Sequence, residues 1–146
     1  MTKAVESECL EEVVNLIRGA GIERFETDEI RPMDMPSDWS NIPRGVLIVT
    51  QAHVEAAGTV GRDDYGYKFL IAITFGTSKG ASENQGDLSD IRSTIRNLFN
   101  NKRLTNVTTS MICGVAAGEM LQNQPWRDNQ SVSVLQLTCW CRETRP

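Results

Sequence analysis

The stretch from Ser131 to Glu143, SVSVLQLTCWCRE, alternates so regularly that a long β-strand is the one regular structure it suits, which commits the chain to building a sheet around it. Leu135, Leu137, Cys139 and Cys141 fall on one side of that strand. Gln136, Thr138, Trp140 and Arg142 fall on the other. The first set reads as core. The second is polar apart from Trp140, and an indole among Thr and Arg suits a surface that docks on another protein. The bland alternative is that a helix or loop of the same chain covers it, since large aromatics are mostly buried.

The other elements fall in line with a sheet. Lys3 to Arg18 has the period of an amphipathic helix, with Val5, Cys9, Val13, Leu16 and Ile17 on one stripe and Gly19 and Gly21 to end it. From residue 22 to 45 the period is lost among Pro32, Pro36 and Pro43, so an irregular connection is expected there, pinned by Trp39 and Ile42. Val46 to Gln51 reads as an interior strand, which Ala52 to Gly61 extends before turning, and Tyr65 to Phe75 as a strand apolar on both faces. The composition of residues 76 to 86 predicts a flexible loop, with Asp87 as N-cap of a helix running to about Asn100. Thr105 to Gly118 reads as a strand with Gly114 at a bulge or close approach, and a turn over 123–129 makes it the antiparallel neighbour of the last strand. The expectation is one domain over residues 1–146, an α+β two-layer sandwich of two main helices on about four mixed or antiparallel strands.

Charge and chemistry narrow the function. With 15 Lys and Arg against 19 Asp and Glu, the net charge of -4 argues against binding nucleic acid through bulk charge. The balance is uneven, because residues 1–66 are strongly acidic and residues 67–146 are basic, as would suit contact between unlike parts of two copies. The glutamates of the first helix do not suit a leader peptide, and no apolar run is long enough to span a bilayer, so a soluble cytosolic protein is expected. The four cysteines read as reduced, buried thiols acting as small hydrophobes.

Catalytic and metal motifs are scarce. His53 is the only histidine, the Cys139/Cys141 pair lacks the turn of a zinc knuckle or redox dithiol, and no phosphate-cradling glycine motif occurs. Asp63 and Asp64 could bind a cation or act as a base, but turn chemistry before the Tyr65 strand is the simpler role. Arg92, Arg96, Lys102 and Arg103 form a candidate phosphate-facing or lumen-facing patch, against the plainer reading of a solvated helix face. Neither enzyme nor cofactor is expected.

Taken together, the early helix, the Pro-broken segment, RDDYGY (Arg62 to Tyr67), DLSDIRSTIRNLFNNKRL (Asp87 to Leu104) and the closing SVSVLQLTCWCRE resemble the tail-terminator or tail-completion proteins of the tailed-bacteriophage neck. The resemblance covers roughly Ala4 to Glu143 and rests on element order and strand patterns. It implies a closed ring, commonly a hexamer, that caps the tail tube, ends tail polymerisation and meets the head connector, with the sheath terminus as a further candidate partner. It also implies DNA passing through the lumen, and a life in the host cytoplasm and then the virion. Candidate contact residues are Trp140 and Arg142, Trp126 and Arg127 in the preceding turn, Lys79 and Glu83 in the 76–86 loop, and the competing pair Asp63 and Asp64. The alternatives are a head-closure or adaptor protein of the neck, a small α+β ligand-binding domain or enzyme with a pocket near His53, Asp63 and Asp64, and a nucleic-acid binder using the basic patch.

Overall fold

The computed structural model describes residues 4–33, 45–51, 55–59, 62–76, 81–117 and 130–144. Helix α1, Val5–Arg18, carries Glu6 and Glu8 in its first turn and Arg18 in its last, an arrangement that suits the helix dipole. Gly19 ends it, donating its N–H to the Asn15 carbonyl at 2.9 Å. Cys9, Val13 and Ile17, one turn apart, are buried, and with them Val14. Helix α2, Ala81–Phe99, buries Ile91, Ile95 and Phe99 in the same manner.

The strands are β1 (Ile30–Met33), β2 (Gly45–Thr50), β3 (Glu55–Thr59), β4 (Arg62–Gly76), β5 (Ser110–Ala117) and β6 (Gln130–Thr144). They form one mixed sheet in the order β1-β2-β4-β6-β5, with β3 also on β4. β2 pairs with residues 69–74 of β4 and β3 with residues 62–66, so the two share one edge and the sheet is five strands wide. Only β1 and β2 run parallel among these pairs. β4 and β6 pair from Arg62↔Thr144 to Gly76↔Gln130 without interruption, which makes them the spine of the molecule.

Both helices pack on one face of that spine. Cys9, Val13 and Ile17 of α1 and Ile91, Ile95 and Phe99 of α2 join Phe69, Ile71, Ile73, Leu135 and Leu137 in a single core cluster. The fold is therefore α+β with two helices on one mixed sheet. The other face is divided. Leu47, Val49, Leu70 and Ala72 are buried there, whereas further along Trp140 and Thr138 are half-buried and Ile112 is exposed.

Several boundaries differ from the sequence reading. The segment 22–45 contains a turn of 3-10 helix, Thr27–Glu29, and then β1, which sequence missed because Arg31 and Pro32 disguise an edge strand. Residues 55–59 form a separate strand, not an extension of β2. Asp63 and Asp64 lie inside β4, not in a turn before it, because β3 and β6 supply ladder partners on both sides. Residues 81–86, expected to be loop, belong to α2, so Asp87 is inside the helix and pairs with Arg24 instead of capping. Residues 105–109 form turns, and the irregularity in β5 lies between Ser110 and Ile112, not at Gly114. The flexible-loop expectation for 77–80 and the turn at 123–129 lie outside the described residues, as do Trp39 and Ile42.

Candidate interface

The outer face becomes distinctive where β4, β6 and β5 bring Gly66, Trp140 and Ile112 into one row. Gly66 makes room for the indole: a Cβ there would lie 3.1 Å from Trp140 Cε2 and Cζ2 and from Thr138 Cγ2. Trp140 is thus neither covered nor fully exposed. It lies over Gly66 and is half-buried. Beside it Ile112 is 45% exposed, and no other large hydrophobic among the described residues is exposed. In the next row Arg142 donates through Nε and Nη2 to the two carboxylate oxygens of Asp64, at 2.8 and 3.0 Å. The hydrogen bonds to Asp64, with its charge, raise the Arg142 pKa above its ordinary value. The result is an apolar spot bordered by a guanidinium held in a fixed plane.

The two edges of the sheet differ in charge. At the β1 edge the preceding segment presents Glu23, Glu26 and Asp28 to solvent against one exposed cation on the strand, Arg31, with Arg24 turned to Asp87 and Arg18 donating to the Ile30 carbonyl at 2.8 Å. At the β5 edge Arg96, Lys102 and Arg103 are exposed, and residues 91–117 contain no acidic residue. This edge is closed to strand addition around Cys113. Asn101 N–H donates to the Cys113 carbonyl at 2.9 Å and Cys113 N–H to the Lys102 carbonyl at 2.8 Å, while Val115 N–H donates to Asn100 Oδ1 at 3.2 Å. A neighbour meeting this edge would do so through side chains.

Asp63 and Asp64 diverge, as adjacent strand residues must. Asp64 belongs to the outer face. Asp63 accepts a hydrogen bond from Tyr65 Oη at 3.3 Å on the inner side, where Tyr67 Oη donates to Glu143 Oε2 at 2.6 Å. Burial, and then the Glu143 carboxylate, push the Tyr67 hydroxyl well above its usual pKa. The two aspartates therefore do not converge on one cation or substrate, and His53 lies outside the described residues. An open cleft of about 480 Å³ lies elsewhere, between residues 20–24 and α2, and the Arg24–Asp87 ion pair occupies part of its wall. All four cysteines are free and buried.

Of the remaining candidates, Arg92 is half-buried and reaches Ser133 Oγ at 3.4 Å, and Arg103 donates through Nε to the Ser110 carbonyl at 3.0 Å. Of the expected basic patch, only the Arg96 and Lys102 side chains stand clear on the surface without a hydrogen bond or ion pair among the described residues. Glu83 lies near the start of α2, and Trp126, Arg127 and Lys79 lie outside the described residues. Sequence reading missed Gly66 and Ile112. The signal for Ile112 was its alternation with Cys113 once the strand is started at Ser110, and Gly66 is recognisable only after register places it opposite Trp140. No protein-family model matches this chain, and no characterised protein matches it in sequence. No helix among the described residues is long and apolar enough to cross a membrane.

Proposed function

We propose that this chain is a structural subunit of a closed ring, the tail terminator of a tailed bacteriophage, assembled in the host cytoplasm and carried in the virion. The ring caps the tail tube, ends its growth and offers its other surface to the head connector, and DNA passes through the lumen without being read. The observation that carries the proposal is the placement of opposite charge at opposite edges of one sheet. Glu23, Glu26 and Asp28 flank β1, and Arg96, Lys102 and Arg103 flank β5. Unlike patches on opposite sides of a subunit favour head-to-tail contacts, and head-to-tail contacts close into rings when the rotation permits. The Trp140 and Ile112 spot supplies an apolar anchor with charged groups around it.

The test is native mass, measured for the protein alone and mixed with tail tubes. Wild type forms a closed oligomer, in the free state or on the tubes. Inverting one edge with Arg96→Glu and Lys102→Glu abolishes it, and adding Glu23→Lys and Asp28→Lys to the same chain restores it. A folded wild-type chain that stays monomeric in both conditions, or a double inversion that fails to rescue, removes the reading.

A further inference from the structure

The four cysteines are scattered in sequence but meet in the core. Cys9 comes from α1, Cys113 from β5, and Cys139 and Cys141 from β6. Cys9 Sγ lies 3.6 Å from Cys141 Sγ, and Cys113 and Cys139 are cross-strand partners in the same buried cluster. No group of three His, Cys, Asp or Glu among the described residues is arranged to hold a metal ion.

Backbone geometry singles out one pair. Cys113 stands directly opposite Cys139, and both its N–H and its C=O are bonded away from β6, to Lys102 and Asn101. In an antiparallel ladder that makes Cys113 and Cys139 a non-hydrogen-bonded pair. Such pairs hold their Cα atoms about 4.5 Å apart, inside the span of roughly 4.4 to 6.8 Å over which a disulfide closes. We propose that the four thiols are a paired disulfide site, Cys9 with Cys141 and Cys113 with Cys139, closed by exchange with a small-molecule disulfide of the glutathione class.

Only this pairing uses all four thiols. Joining Cys9 to Cys139 strands Cys141 and Cys113, since Cys141 faces Ser110 across the ladder. Joining Cys139 to Cys141 asks for a bond between residues two apart on one extended strand, whose side chains run side by side and hold the Cβ atoms about 6.6 Å apart, well beyond the roughly 3.5 to 4.5 Å a disulfide needs. In the first step the Cys9 thiolate attacks one sulfur of the small-molecule disulfide and expels one thiolate, leaving a mixed disulfide. The Cys141 thiolate then attacks the Cys9 sulfur and expels the second, and the protons of the two protein thiols leave on the two released small thiols. Cys113 and Cys139 close by the same two steps with a second molecule. Cys9 is the natural attacking group, because Cys139 and then Cys141 donate toward its sulfur and lower its pKa. Cys139 is pushed up by Cys113 and Cys9, and Cys141 by Cys9 and by burial. All four side chains are at most 2% exposed, so exchange waits on an opening of the core and its rate levels off as the reagent is raised.

The experiment incubates the reduced full-length protein with oxidised glutathione in native buffer, blocks remaining thiols in acid, and maps the peptides by mass. The expected product carries Cys9–Cys141 and Cys113–Cys139, retains no glutathione, and melts at a higher temperature than the reduced form. The double variants Cys113→Ser/Cys139→Ser and Cys9→Ser/Cys141→Ser, checked for folding by circular dichroism, each form the one remaining bridge. Four blocked thiols, a Cys9–Cys139 bridge in the wild type, trapped glutathione adducts, or a metal ion retained by the purified protein would each overturn the assignment.

Discussion

The two faces of the β4 and β6 ladder are made from alternate residues of the same two strands, yet they are finished in opposite ways. The inner face places Phe69, Ile71, Leu135 and Leu137 under two helices, where all four side chains are buried. The outer face closes over Leu70 and Ala72 and then opens at Thr138, Trp140 and Arg142. The difference shows that burial fixes one set of residues by packing, whereas the other is free to carry a surface pattern.

That contrast can be broken first at the inner face. Phe69→Ala removes a fully buried ring and is expected to cost about 3–5 kcal/mol in urea unfolding, with the expectation failing if the loss matches a surface substitution. Gly66→Val tests the outer face from beneath: its branched side chain forces Trp140 off the strand, costs about 1–3 kcal/mol, and shifts tryptophan emission to longer wavelength. Tyr67→Phe probes the polar end of the inner face. Since the folded-state pKa of Tyr67 is raised above its usual 10.0, its contribution to stability is complete below that pH and is lost as pH rises beyond it. The variant should therefore show a shallower fall in stability above pH 10 than wild type, read from melting temperatures across the alkaline range. Smallest in stability is Ile112→Asp, expected to stay within about 0.5 kcal/mol of wild type while removing the oligomer that the proposed ring requires, read by native mass. Unchanged assembly would separate this spot from the proposed ring contact.

What could be read from sequence follows from how strongly each segment states its own period. Leu135, Leu137, Cys139 and Cys141 alternate without a break, and Phe69, Ile71 and Ile73 do the same, so both central strands and their core faces were legible. β3, with the sequence EAAGT, has little preference for extended structure and is held by its pairing with β4. The first turns of α2, ASENQG, are polar and contain glycine, so local composition reads as loop although the helix continues through them. Trp140 was visible as an anomaly in an alternating strand. The opposed charges of the two edges were not, because they depend on β1 and β5 lying at opposite ends of the sheet, and strand order is a property of the whole chain.

Gly45 shows a similar dependence on a distant neighbour. A Cβ at this position would lie 2.6 Å from the Glu29 carbonyl oxygen, so the close approach of β2 to the 3-10 turn depends on glycine there.

The strand made last among these elements occupies an interior position in the sheet. β6 lies between β4 and β5, so during synthesis β5 has no ladder partner, and half of the spine is missing, until residues 130–144 have left the ribosome. Folding of this protein is consequently a closing event that joins distant parts of the chain at once, and such topologies form slowly compared with local ones. A nascent chain halted before Gln130 would leave the β4 edge at Phe69 and Ile71 without its β6 partner and open to chaperones and proteases.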